Sequence, residues 1–235
     1  MIEVKNLSKS YYKTVALKDV SLRLSTGCIT AVMGPNDSGK TTLLKCILGL
    51  VKPLSGEIYV NGFQVNGNCE YRKFIGYMPQ FCCFPENLKV KEVFNMLKDV
   101  RGNHCTYDED LIGKLKIDKI FNSSIGSLSG GSRQRVSSSA AFLFNQEIII
   151  LDEPTAGLDP ASSEIVKEKI IAEKQKGKLI IITSHIISEV EELADRIVYM
   201  LDGSIYFDST KEELLNLTGE ENLNKAIAKI TAIRY

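Results

Sequence analysis

The stretch Gly34-Pro35-Asn36-Asp37-Ser38-Gly39-Lys40-Thr41-Thr42 constrains this chain more than any other. Its first eight residues fit G-x-x-x-x-G-K-[ST]. An apolar run, Cys28 to Met33, precedes it, and Thr41 to Leu50 follows with apolar residues at helical spacing. Strand, glycine-bearing turn and helix in that order make an anion cradle. Backbone N–H groups wrap phosphate, and the helix N-terminus adds positive potential. Lys40 can reach β- and γ-phosphates as a point charge, and the Thr41 hydroxyl is a ligand suited to Mg2+. The competing account, a turn that happens to hold two glycines, explains neither the strand nor the helix.

A second element supports the first. Glu147-Ile148-Ile149-Ile150-Leu151 is a continuous apolar run of the kind that forms a buried strand, and Asp152 and Glu153 emerge at its carboxyl end. Ligand sites of α/β sheets lie at that end. Asp152 can hold a Mg2+ shell and Glu153 can polarise an attacking water. Two adjacent acids alone could simply cap a following helix; paired with a phosphate loop they point to nucleotide chemistry.

Between these elements the pattern changes along the chain. Ile2 to Leu7 and Leu17 to Leu24 alternate with period two, and Ser55 to Phe63 reads as a hairpin turning at Asn61-Gly62. Val90 to Val100 and Asp108 to Phe121 carry helical patterns, with few strand signals from about 85 to 145. Leu179 to Thr183 is another buried strand, flanked by helical patterns over Ala161 to Lys176 and Ser188 to Ala194. Ile197 to Tyr206 is a hairpin, and the tail from Lys211 is amphipathic. Strands alternating with helices predict a parallel sheet with a helical insertion.

Composition narrows the function classes. Lys+Arg and Asp+Glu balance at 29 each, so no large basic face for nucleic acid is expected. No apolar run approaches the ~20 residues that span a bilayer, and Met1 to Lys5 lacks a signal-peptide core. A cytoplasmic protein is expected, with membrane contact only through a partner. Of six cysteines only Cys82-Cys83 invites a soft metal, and no further Cys or His cluster completes a four-ligand site.

On these residues the chain resembles the nucleotide-binding subunits of ABC transporters over roughly residues 1 to 215. Leu128-Ser129-Gly130-Gly131-Ser132-Arg133-Gln134-Arg135 resembles the family's signature motif. The resemblance implies an α/β P-loop NTPase core with a parallel-containing sheet, an N-terminal antiparallel β subdomain and an inserted helical subdomain. One ABC ATPase domain over 1–235 is expected: core at 1–80 and 146–215, helical signature subdomain at 81–145, helical tail at 216–235. It implies ATP and Mg2+ as ligands, with Ser129, Gly130 and Gly131 facing the γ-phosphate of ATP held by a second nucleotide-binding subunit. It further implies Gln80 near Mg2+ and the attacking water, Asp159 of Gly157-Leu158-Asp159 at a dimer interface, and His185 near the γ-phosphate. Tyr11 resembles the aromatic that stacks on adenine, with Tyr12 as its rival and Val15 packing beside the base.

Two residues depart from the family pattern. Asp37 stands where the loop usually has Gly, and Ser132 where the signature usually has Gln. The size, single cassette and absent regulatory tail resemble exporter-type components, which work as a homodimer with a transmembrane permease on the cytoplasmic face of the inner or plasma membrane. The segment from Phe81 to Val90 either forms the groove for such a permease or packs the helical lobe. Ile75 to Gln80 with Phe84 to Leu88 also resembles the ATPase of the copper-site maturation system of nitrous-oxide reductase. A soluble family member acting in translation or DNA repair is the alternative; those usually carry two cassettes or a long coiled-coil insertion. A binding-only module is the third reading, opposed by intact Glu153 and His185.

Overall fold

The N-terminal alternation becomes an antiparallel sheet in the computed structural model, which describes residues 1–67, 69–102 and 106–232. Strands β1 (Ile2–Tyr11) and β2 (Thr14–Leu24) pair from Ile2↔Leu24 to Tyr11↔Thr14. Ile2, Leu7, Leu17, Val20 and Leu24 are fully buried, so the period-two pattern turns one face inward. After β3 (Ile29–Met33) and α1 (Lys40–Ile47) come β4 (Ser55–Val60) and β5 (Phe63–Gln64). Asn61 and Gly62 both take positive φ, 47° and 83°, as a two-residue hairpin turn of matching twist requires. The sheet order is β2-β1-β4-β5.

The middle of the chain holds β6 (Ile75–Met78), α2 (Val90–Arg101), α3 (Asp110–Lys114), α4 (Gly130–Phe142), β7 (Ile148–Asp152) and α5 (Pro160–Gln175). Then follow β8 (Leu179–Thr183), α6 (Ile187–Leu193), β9 (Arg196–Leu201), β10 (Ser204–Thr210), α7 (Lys211–Thr218) and α8 (Leu223–Ala232). Contacts divide the chain into two compact units: Met1–Arg72 together with the chain from Leu179 onward, and Lys73–Lys178.

In the first unit β3 runs parallel to both β8 and β9, and β9 pairs antiparallel with β10. Every residue of β3 and β8 is buried, which is why both read as continuous apolar runs rather than alternating ones. Thr210 caps α7 by accepting from Glu213 N at 3.1 Å, and Gly219 at φ 68° ends it. The tail is therefore two helices, with Leu223, Ala226 and Ile227 of α8 buried.

In the second unit β6 and β7 are parallel. A Cβ on Gly76 of β6 would come 2.3 Å from the Ala141 carbonyl oxygen, so α4 packs directly against the strand. The predicted helix over 108–121 is interrupted. Lys116 takes a left-handed φ of 55°, and a 3-10 turn, Ile117–Ile120, follows α3. The break lets Leu111, Leu115 and Ile117 all be buried. Lys169 of α5 is buried too, bonded to Asp108 at 2.7 Å and close to Glu173 at 3.4 Å. Glu173 is itself fully buried and also meets Lys176 at 2.6 Å, with Lys178 on its other oxygen. Burial pushes the Glu173 carboxyl up. Hydrogen bonds from Lys176 and Lys178 and the charges of Lys178 and Lys169 outweigh it and hold the group below the usual range.

Candidate functional site

Within the first unit, β3 delivers the chain into the glycine loop. Gly34 has φ 140° and Gly39 has φ 102°. A side chain at either is blocked by backbone as well. A Cβ on Gly34 would lie 2.1 Å from the Met200 carbonyl oxygen, and one on Gly39 would lie 2.4 Å from that of Ala16. Asp37 has φ 64°, the left-handed conformation that glycine supplies most cheaply and that Asp tolerates better than most residues. The loop therefore forms with Asp37 in place, its side chain exposed. Ser38 N donates to Pro35 O at 3.3 Å, closing the turn. The Lys40 ammonium lies over the loop, 2.8 Å from both Gly34 O and Pro35 O.

These residues fit a polyphosphate. Ser38 Oγ is buried without a hydrogen-bond partner. The first turn of α1 contains no acidic residue, and its leading N–H groups lack intrahelical acceptors. Pro35 and Asn36 are exposed at the loop's crest, and Thr41 and Thr42 are half-buried behind Lys40.

Two further expected residues lie in the same unit. The β1–β2 hairpin carries Tyr11 and Val15, both exposed, and the next residue, Ala16, abuts Gly39. Lys9 Nζ stands 5.1 Å from the Tyr11 ring centroid and donates to Lys52 O at 2.8 Å. Tyr12 occupies the turn at φ 52°, fully exposed. Val32 of β3 is in register with Thr183 of β8, so His185 follows its strand at the edge where the glycine loop springs from β3. His185 is exposed and borders an open cleft with Glu191 and Asn222. Its loop is fixed by a buried neighbour: Ser184 Oγ donates to Glu189 Oε2 at 2.6 Å and accepts from Ile186 N at 3.0 Å.

The second unit gathers another set at the carboxyl ends of β6 and β7. Tyr77 and Met78 are in register with Ile150 and Leu151, so exposed Gln80 and the Asp152-Glu153 pair leave their strands together. Asp152 and Glu153 are 3% and 7% exposed, enough burial for their charges to act in a low-dielectric setting. Glu153 has φ 55°, a conformation costing a non-glycine residue about 1–3 kcal/mol and concentrated at working sites. Gln134 of α4 donates from Nε2 to the Glu153 carbonyl at 3.3 Å. Burial, and then the Asp152 charge, push the Tyr77 phenol up to about 12, so Tyr77 stays neutral.

The signature segment opens α4. Ser129 is the N-cap, accepting from Ser132 N at 3.3 Å, and no acidic residue occupies the first turn. Ser129 and Gly130 are exposed. A Cβ on Gly131 would lie 2.9 Å from Gly157 O, so this turn and the Gly157-Leu158-Asp159 loop lie side by side. Asp159 caps α5, accepting from Ser162 N at 3.0 Å and Ser162 Oγ at 2.6 Å. Those bonds hold its carboxyl below the usual range.

Phe81 is exposed while Phe84 and Leu88 are half-buried, and Cys83 donates to Phe81 O at 3.1 Å. Among the described residues no three His, Cys, Asp or Glu side chains group as a metal site. Cys105 lies outside the described residues. Sequence reasoning missed Gln134 and the Ser184–Glu189 pair. The latter left a signal in a carboxylate, Glu189, within the first turn of the helix that follows His185.

A glycine loop fitted to phosphate and, in the other unit, a strand ending in two buried carboxylates are each features that nucleotide hydrolases carry. Comparison with known proteins decides which kind. The family described as ABC transporter matches residues 17–156. The chain belongs to the ABC transporter family. It is an ABC ATPase, the ATP-binding subunit of a transporter. It is 33% identical over 227 residues to the lantibiotic transport ATP-binding protein SrtF of Streptococcus pyogenes, covering 97% of both chains. It superposes on the structure of an ATP-binding subunit of an ABC transporter with a TM-score of 0.90 at 28% identity, covering 98% of this chain and 99% of that one. A dimeric ABC cassette in a post-hydrolysis state, bound to ADP and Pi, matches with a TM-score of 0.79 at 28% identity, covering 89% and 98%. No helix among the described residues is long and apolar enough to cross a membrane.

Proposed function

We propose that this ABC ATPase closes with a second copy around two Mg-ATP and drives a separate transmembrane permease, in the exporting direction. The observation that carries hydrolysis is Glu153, a buried carboxylate held at positive φ next to Asp152. The dimeric form of a structural neighbour supports the pairing, and a 29% identical relative named Nod factor export ATP-binding protein I supports the exporting direction.

In this reading Gly34 to Gly39 and Thr42 wrap the phosphates, and Lys40 neutralises the β- and γ-phosphate charge. Tyr11 stacks on the base with Val15 beside it. Thr41, Gln80 and Asp152 offer hydroxyl, amide and carboxylate oxygens, the hard donor set that suits Mg2+. An ion held by these residues would supply positive charge to offset the charge that develops on the transferred phosphoryl group. Glu153 takes a proton from the attacking water, and His185 hydrogen-bonds the γ-phosphate. Ser129, Gly130 and Gly131 contact the γ-phosphate held by the other copy, and Asp159 lies at the interface. The chain then sits peripherally on the cytoplasmic face of the membrane, touching it only through the permease.

The test is isolation of the tagged chain from its own cells. A polytopic membrane protein bound in stoichiometric amount is expected. Ribosomes or DNA in its place would establish the soluble alternative, acting in translation or repair.

A further inference from the structure

Ser132 replaces a long amide side chain with a short hydroxyl, and the structure gives that hydroxyl a defined place. Ser129 Oγ and Ser132 Oγ are 3.0 Å apart, with Ser129 donating. Arg135 Nη2 donates to Ser132 Oγ at 2.9 Å. Ser129 Oγ also accepts the N–H of Ser132 at 3.3 Å as the N-cap of α4. The three side chains therefore form a line that starts at a guanidinium and ends at the exposed signature serine. A second bond, from Arg135 Nη1 to Leu115 O at 3.5 Å, anchors the guanidinium end.

We infer that Ser132 and Arg135 are positioning residues that turn Ser129 into a strong donor toward the γ-phosphate. The inference rests on the proposed role of Ser129. Hydroxyl hydrogens rotate to suit their partners. When a phosphate oxygen meets Ser129, its hydrogen swings outward and the Ser132 hydroxyl donates inward in its place. Arg135 keeps donating to Ser132 Oγ throughout. Every link then points the same way: Arg135 N–H to Ser132, Ser132 O–H to Ser129, Ser129 O–H to phosphate. Bonds in such a chain polarise one another, and a cation at its head strengthens the terminal donor. No proton changes owner and no covalent bond breaks. Asp159 is the nearby acidic group, and the Arg135 charge contributes to lowering its carboxyl. The same guanidinium thus acts both on the signature turn and on the loop whose Asp159 is assigned to the interface with the second copy.

A double-mutant cycle in ATP turnover tests this. Ser132→Ala is expected to lower kcat about tenfold, the scale of one hydrogen bond to a charged group. The KM for ATP should move much less. Ser132→Thr, which retains the hydroxyl, should restore turnover to within about twofold of the parent. Ser129→Ala should lower kcat at least as much as Ser132→Ala. Ser129→Ala with Ser132→Ala should be no slower than Ser129→Ala alone, because Ser132 then has nothing to act through. A merely structural Ser132 predicts multiplied losses in the double variant, and that result overturns the inference. So does parental turnover in Ser132→Ala beside a crippled Ser129→Ala. Parental turnover in Ser129→Ala would instead remove the signature reading itself, and the positioning role with it. Melting temperatures measured alongside show that each variant is folded.

Discussion

Replacing Gly34 with Ala separates a steric requirement of the phosphate loop from ordinary backbone strain. The new Cβ would sit 2.1 Å from the Met200 carbonyl oxygen and 2.8 Å from Ser38 Oγ. A carbon rests against a carbonyl oxygen at about 3.3 Å, so the loop must move by roughly 1.2 Å. Met200 belongs to β9, paired on both sides, so the strand will not yield and the loop must. A displacement of about 1 Å in a positioned site costs roughly 100-fold, or about 2.7 kcal/mol. Gly27→Ala is the control. Gly27 has φ 69° with nothing within 4 Å of its would-be Cβ, so the change carries only the left-handed penalty of about 1–2 kcal/mol. Calorimetric titration with ATP and a thermal melt of both variants provide the comparison. Gly34→Ala should weaken ATP binding about 100-fold, whereas Gly27→Ala should leave it within about twofold and lower the melting temperature by about 2–8 °C. Equal ATP affinity in the two variants would refute the reasoning.

Three other perturbations probe separate parts of the molecule. Asp37→Gly removes a carboxylate from the loop and supplies the residue its φ of 64° favours; ATP affinity measured by titration should rise a few-fold, and a fall would contradict the placement. Tyr11→Ala should raise the KM for ATP about three- to tenfold while Tyr12→Ala leaves it unchanged, since stacking is worth roughly 0.5–1.5 kcal/mol; the reverse ranking would assign the base to Tyr12. Glu173 is held below its ordinary value of 4.5, so it contributes stability above that pH and loses it as pH falls through the lower folded value. Urea midpoints between pH 7 and 3 should therefore fall more steeply in the parent than in Glu173→Gln, and parallel curves would count against the buried ion cluster as a source of acid sensitivity.

What could be read from the sequence and what could not divide along physical lines. The glycine loop was legible because its constraint is local: spacing alone records where backbone from Ala16 and Met200 leaves no room for a Cβ. The apolar runs of β3, β7 and β8 were legible because strands buried on both faces show no alternation. The helical pattern over 108–121 misled because Lys116 turns left-handed, a choice made by tertiary burial of Leu115 and Ile117 rather than by local propensity. Asp37 stood out as a departure, but only its backbone angle explains how the loop accepts it. The bond from Gln134 to the Glu153 carbonyl joins residues 19 apart, and no period or motif encodes it. Ser132 was visible only as a mismatch; its position between Ser129 and Arg135 came from side-chain geometry.

The most direct test of the central claim is the mass and turnover of Glu153→Gln in Mg-ATP. Without a carboxylate to take the water's proton, hydrolysis should fall by at least about 100-fold while ATP still binds. The closed pair should then accumulate, at twice the 26.1 kDa of one chain by light scattering. A particle that stays at the mass of one chain, or a variant that turns over ATP at the parental rate, would contradict the account.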